Sequence, residues 1–345
     1  MTDRTPRALA LPSPAGPAPH RRLLLSAGLG LAAAALLRPA RAAGSIRIGY
    51  QKYGSLVLLK GRGTLEAALQ PLGTTVSWSE FPSGPPLMEA LNAGAVDFGS
   101  AGEAPPIFAQ AASAELRYVG TEPPAPRGEA ILVPKDSPIR SLADLRGKTI
   151  ALNKGSNVHY LLVRALGQGG IPYDAVKLAF LAPADANAAF VRGSVDAWAI
   201  WDPFLAAAER STGARVLADG KGVDGTGIAP NRQFYLSRRG FTDSSPEVVS
   251  AVLKAIGEVD AWAAGHAESV AAELAPTVGI PAPVLSVALG RLSYGVAPLD
   301  ATVIADQQKV ADAFHTLGLL PKPIRIADAV WTPPERRAEA LGANR

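Results

Sequence analysis

Three short polar loops are the places where this chain could do chemistry: Gln51-Lys52-Tyr53-Gly54-Ser55, Ser100-Ala101-Gly102-Glu103-Ala104-Pro105-Pro106 and Asn153-Lys154-Gly155-Ser156-Asn157. Each contains glycine and serine, so backbone N–H groups can face outward without side-chain obstruction. Each leads into a stretch that reads as a helix, whose first N–H groups lack intrahelical partners and carry a partial positive charge. That combination suits a small anion. Ser55, Ser100, Ser156 and Asn157 add neutral donors, and Lys52 and Lys154 add charge. One Gly-rich turn before a helix is ordinarily only a cap. The anion reading rests on three of them converging.

Groups suited to turnover are scarce. Of four histidines, His20 sits in a basic N-terminal stretch, His266 and His315 fall on expected helices, and His159 alone lies near a candidate loop. No His and carboxylate pair stands at metal-ligand spacing. Ser156 lacks the Gly-x-Ser-x-Gly elbow. Gly61-Arg62-Gly63 is too bare for a dinucleotide fingerprint, and there is no P-loop. The chain has no cysteine, which excludes disulfides, thiolate metal sites and a cysteine nucleophile. The residues point to a binding protein without cofactor or metal rather than an enzyme.

The elements that must position these loops alternate in the α/β manner. Ser45–Tyr50 and Val76–Phe81 read as strands, with a helix between them over Leu56–Leu69. Pro86–Ala93 reads as a helix closed by Gly94, followed by a short strand over Val96–Gly99. The order recurs about 100 residues later: a strand over Gly147–Leu152, a polar loop, and a helix over Val158–Leu166. Gly94-Ala95-Val96-Asp97 is matched by Gly193-Ser194-Val195-Asp196. Each copy precedes a polar, proline-containing loop, the second being Trp201-Asp202-Pro203-Phe204. Two similar lobes follow. Residues 125–146 read as the crossover and the Gly-rich 219–231 as the return, with residues from about 245 mostly helical. Two adjacent connections at a cleft make a hinge architecture. The expected division is 43–128 plus 232–345 for one lobe and 129–231 for the other.

Charge is unevenly placed. The net charge is +4, but residues 1–42 hold six arginines and one acid, leaving 28 basic and 29 acidic groups elsewhere. The basic excess belongs to that segment, which removes nucleic acid as a partner. His20-Arg21-Arg22, an apolar run from Leu23 to Leu37 and Pro39-Ala40-Arg41-Ala42 give the three parts of a cleavable signal peptide over 1–42. The run is about 15 residues, short of the roughly 20 that span a membrane. The arginine pair fits the twin-arginine export route only in part. Export to the periplasm is the expectation.

Six segments carry a family resemblance: 49–54, 102–109, 141–148, 155–162, 198–204 and 231–236. Over residues 45–320 the chain resembles the periplasmic aliphatic sulfonate-binding proteins of ABC importers, among the nitrate, sulfonate and taurine binders. The resemblance implies a type II periplasmic-binding-protein fold, α/β, with mixed sheets in two similar lobes around a central cleft. It implies a monomer that hands an alkanesulfonate, a small organic anion, to a membrane permease and its ATPase. A sulfonate is a monoanion with three acceptor oxygens and no proton to give, so its site should present donors. The expected ligand-binding residues are Gln51, Lys52, Tyr53, Gly54, Ser100, Gly102, Glu103, Gly155, Ser156, Asn157, Trp201, Asp202 and Arg232. Tyr53, Trp201, Phe204 and Tyr235 are the aromatics for an apolar tail, and Trp198 reads equally as core. Glu103 fits least well, because a carboxylate repels a sulfonate; holding its own loop by accepting N–H bonds is its plainer role. Nitrate, taurine or another small organic ligand are the alternatives, and more remotely a cofactor-synthesis enzyme on the same fold.

Overall fold

A computed structural model describes residues 44–222, 225 and 227–333. The signal-peptide expectation for 1–42 lies outside them. The chain builds β1 (Gly44–Tyr50), α1 (Ser55–Arg62), α2 (Thr64–Leu69), β2 (Thr74–Glu80), α3 (Gly84–Asn92), β3 (Phe98–Gly102), α4 (Ala104–Ala111) and β4 (Leu116–Thr121). It then crosses to β5 (Glu129–Val133), β6 (Thr149–Leu152), α5 (Asn157–Gln168), β7 (Lys177–Phe180), α6 (Pro183–Val191), β8 (Ala197–Trp201), α7 (Phe204–Thr212) and β9 (Arg215–Asp219). It returns through β10 (Gln233–Arg238) to α8 (Arg239–Ser244), α9 (Pro246–Ala263), α10 (Ala267–Val278), α11 (Ala282–Leu289) and α12 (Ala301–Thr316).

Two five-stranded sheets result, ordered β2-β1-β3-β10-β4 and β7-β6-β8-β5-β9. In each, three strands run parallel and an antiparallel strand lies next to the third. The two orders are the same pattern, so the repeat read from the sequence is a repeat of topology. The antiparallel strand of the first sheet arrives from beyond the second sheet. The two connections therefore meet, 122–128 lying beside residues 220 and 228–232. They are stitched by Ala125 N–H to Pro230 O at 3.0 Å and Gly220 N–H to Pro126 O at 2.7 Å.

Local patterning accounts for most elements. Ile46, Ile48 and Tyr50 alternate into the core from β1. Val158, Leu161, Leu162, Ala165 and Leu166 form the buried stripe of α5 at helical spacing. Each fully buried side chain of this kind is worth about 1.5–3 kcal/mol. Two expectations are corrected. The helix expected over 56–69 breaks into α1 and α2 at Gly63, which closes α1 in the left-handed region. The crossover expected over 125–146 contains β5, a strand buried on both faces and flanked by Pro126, Gly128 and Pro134. Burial on both faces erases the alternation that marks a half-exposed strand.

The lobes touch through rings and an ion pair. Phe314 of α12, packed against Phe108 of the same lobe at 4.9 Å, meets His159 and Tyr160 of α5 at 5.3 and 6.0 Å. Arg291, just after α11, pairs with Glu209 of α7 at 2.6 Å and with Asp202 at 3.5 Å.

Candidate ligand-binding cleft

A cleft of about 520 Å³ opens between the two sheets. Its first wall comes from the ends of β1 and β3: Gln51, Tyr53, Gly102 and, on the first turn of α4, Pro105. Its second wall is Ser156 and Asn157 at the start of α5, with Trp201 at the end of β8. Gly84, Gly128 and the returning Asn231 and Gln233 complete it. The strand ends and helix starts meet as the α/β rule requires. No lining residue carries a charge.

The amides are held in set orientations. Gln51 donates through Nε2 to Ser100 O at 3.1 Å, and Gln233 Nε2 reaches Ser100 Oγ at 3.4 Å. Across the cleft Asn157 Nδ2 donates to Asn231 Oδ1 at 2.8 Å, and Asn231 Nδ2 donates to Ala125 O at 2.9 Å. Asn157 lies directly against Gly102: a Cβ there would fall 2.0 Å from the Asn157 amide. Only glycine lets the two walls approach this closely.

The helix starts are not equivalent. α4 opens with Pro105 and Pro106, which have no N–H, so its terminus loses two of the donors expected of it. α3 opens the same way, with Pro85 and Pro86 after Gly84. At α1 the hydroxyl of Ser55 donates to the carboxylate of Asp260, so an acid already faces that turn. At α5 the Ser156 side chain makes no cap bond to the first turn. Its hydroxyl donates instead to Asn153 O at 2.7 Å. The first N–H groups of α5 have no intrahelical partner, and Asn157, which carries the first of them, lines the cleft. Of the three expected helix starts, that of α5 has neither proline in its first turn nor a carboxylate bonded to its serine.

Six expected residues meet at the cleft: Gln51, Tyr53, Gly102, Ser156, Asn157 and Trp201. The others fall elsewhere. Lys52 turns out to Val278 O at 3.3 Å and to Glu80 at 3.7 Å, away from the cleft. Gly54 lines an adjoining recess with Glu122. Ser100 sits behind the wall as the acceptor for Gln51 and Gln233. Gly155 borders a separate groove with Lys154, and its N–H donates to His159 Nδ1 at 3.2 Å. Asp202 is fully buried, accepts from Ala206 N–H at 3.0 Å, and faces Arg291. Burial pushes its carboxyl up to about 6 against the pull of Arg291.

Arg232 gives its backbone N–H to Glu103 Oε1 at 3.0 Å and its Nη1 to Glu122 O at 3.4 Å. Glu103 is buried beneath the cleft, where it steadies the return segment rather than its own helix. Desolvation pushes it up to about 7, offset in part by that N–H and the charge of Arg232. Of the aromatics, Tyr235 and Trp198 are core, and Phe204 stands behind Trp201, edge to face at 6.3 Å. His159 is buried among Phe108, Phe180 and Phe314. Burial, then Lys154, hold it down at about 4. It is neutral, with Nε2 facing Tyr173 Oη at 2.5 Å.

The expected ligand-binding set left out Asn231, Gln233, Gly84, Pro105 and Gly128, although Pro105 lies in a candidate loop and Asn231 and Gln233 in a segment that carries the resemblance. One signal was present for Asn231: it follows a Gly-rich run and has φ of 48°, a left-handed conformation that asparagine tolerates better than most residues.

A family model described as NMT1/THI5 like matches residues 82–269. An aliphatic sulfonates-binding protein of Escherichia coli (strain K12) is 45% identical over 300 residues, covering 86% of this chain and 92% of that one. The solved alkanesulfonate-binding protein of Xanthomonas axonopodis pv. citri, bound to MOPS, is 43% identical with a TM-score of 0.78, covering 85% and 99%. The crystal structure of the Escherichia coli periplasmic aliphatic sulphonate binding protein is 45% identical with a TM-score of 0.75, covering 84% and 92%.

Proposed function

Because the chain belongs to the periplasmic aliphatic sulfonate-binding family, we propose that it captures an organic sulfonate between its lobes for an ABC importer. The observation that carries this reading is the donor set of the cleft. Neutral amides and the N-terminus of α5 line it, and no lining side chain is charged. A monoanion that never carries a proton needs donors and no obligatory acceptor. Asn157 and the first N–H groups of α5 are assigned to the sulfonate oxygens, with Gln51, Asn231 and Gln233 completing the shell. Tyr53 and Trp201 are assigned to the organic tail. The paired connections 122–128 and 220–232 act as the hinge about which the lobes close. The close relatives are named as binding proteins, which supports binding rather than turnover. Export by the 1–42 segment, action as a monomer, and delivery to a permease and its ATPase complete the proposal.

Titration calorimetry on the mature chain tests it, in phosphate or Tris buffer, since MOPS is itself a sulfonate. Ethanesulfonate is expected to bind one to one, ahead of nitrate and of an alkylphosphonate, with taurine as the comparison for a charged tail. Preference for nitrate or the phosphonate would overturn the reading. Asn157→Ala is expected to weaken ethanesulfonate by about 1–3 kcal/mol. Ser156→Ala should weaken it less, because that hydroxyl proton is already given to Asn153 O.

A further inference from the structure

A second cavity, an open groove of about 910 Å³, lies between α3, α4 and the turn that precedes α5. Its walls are Met88 from α3, Phe108 and Ala109 from α4 and Ala112 just after it, with Gly155 closing the side toward α5. Glu89 and Lys154 place charge on it. Nothing in the cleft chemistry described so far uses this space.

Three points of contact put the groove next to the cleft. Pro105 lines both. Gly84 of the cleft is followed in the chain by Pro85 of the groove, and Gly155 of the groove by Ser156 of the cleft. The boundary is thus one proline on the first lobe against one Gly-Ser step on the second. The residue at that step has φ of +71°, and a Cβ on it would stand 3.5 Å from the Phe108 ring. Glycine keeps the second wall thin where the two cavities adjoin.

The chemistry changes sharply across that boundary. The cleft side carries amides and a helix start beside Tyr53 and Trp201, whereas the groove side carries mostly methionine, phenylalanine and alanine, with Glu89, Asn92 and Lys154 among them. A ligand with an anionic head and a hydrocarbon tail has the same division. We propose that the groove is a tail annex: an alkyl or aryl chain longer than the cleft can hold passes between Pro105 and Gly155 and lies against Met88, Phe108 and Ala109. This rests on the sulfonate reading of the cleft and makes longer-chain sulfonates the preferred class. The charges of Glu89 and Lys154 stand beside the apolar walls, where a polar group at the far end of the chain would meet them.

An affinity series of ethane-, butane-, hexane- and octanesulfonate tests the annex by calorimetry on the mature chain. Each methylene that enters is expected to tighten binding about three- to fourfold. Ala109→Trp and Ala112→Phe fill the groove, the first from a half-buried and the second from an exposed position. In both variants ethanesulfonate should bind as in the wild type, while the gain from hexane- to octanesulfonate disappears. An octanesulfonate gain unchanged by either filling, or no gain beyond butanesulfonate in the wild type, overturns the annex. Those results leave the cleft reading standing if ethanesulfonate still binds. Failure of ethanesulfonate to bind the wild type overturns the cleft reading, and the annex with it.

Discussion

The two lobes carry the same Gly-x-Val-Asp turn at the same station, and they use it differently. In both, a left-handed glycine, Gly94 or Gly193, ends a helix and a buried valine follows. In both, the aspartate brackets one residue of the neighbouring strand. Asp97 gives its N–H to Arg47 O and takes the Arg47 N–H at 3.0 Å; Asp196 does the same to Thr149, at 2.7 Å. The shared task is to pin the start of a parallel strand pair.

Asp97 then goes further. It is buried and accepts from the Arg47 guanidinium at 2.8 and 2.7 Å and from Arg238 Nε at 3.1 Å. Its backbone oxygen accepts from Arg238 N–H and the Ser237 hydroxyl. Those partners sit on or beside β10, the strand that returns from the second lobe. Asp196 is exposed, and its sheet receives its antiparallel strand from the chain that enters the lobe. A repeated motif thus kept one job in both lobes, and took on a second where the chain comes home.

Replacing Asp97 by Ala should break this comparison most visibly. It removes the buried acceptor shared by two partly exposed arginines and the Arg47 N–H, while the backbone bonds from β10 remain, and about 3 kcal/mol of stability should be lost in urea unfolding. The carboxylates of the first lobe sharpen the point through pH. Burial pushes the Asp97 carboxyl up, but the hydrogen bonds from Arg47 and then Arg238 outweigh it, so its pKa ends below the usual range. Its contribution is present above the unfolded pKa and is lost as pH falls through the folded one. Glu103, with one N–H to its name, goes the other way, to about 7.

A carboxyl raised on folding binds more protons folded than unfolded, so its effect on stability worsens as pH climbs from about 4.5 to about 7. Glu103→Gln should remove that slope and be the more stable form at pH 8, by up to about 3 kcal/mol. Melting temperatures across pH 4.5–8 for the two forms check it; parallel curves would refute the assignment. Asp196→Ala is the small partner of the set. Only a strand-end N–H loses its acceptor at an exposed site, and a loss of about 1 kcal/mol is expected from the same urea experiment. Equal losses at Asp97 and Asp196 would erase the distinction between the lobes.

The repeat was readable because glycine, valine and aspartate are each constrained by backbone conformation, burial or hydrogen bonding, and all three constraints fall within four residues. The loops at strand ends were readable for the same reason. Side-chain direction was not. Lys52 and Tyr53 are neighbours in one loop, yet the lysine turns out to Val278 and Glu80 while the tyrosine lines the cleft. Asn231 and Gln233 reach the cleft only because β10 inserts beside β3, a long-range pairing that no local pattern encodes. The lack of two N–H donors in the first turn of α4, by contrast, was written in Pro105-Pro106.

The placement of β10 has a further consequence, which concerns the order in which the chain is made. The strands of the second sheet, β5 to β9, are consecutive, and that sheet is complete once residue 219 exists. The first sheet holds β10 between β3 and β4, so its middle stays open until residue 238 has been added. The lobe that starts first finishes last. Until then β3 and β4 lack the strand that joins them in the folded sheet.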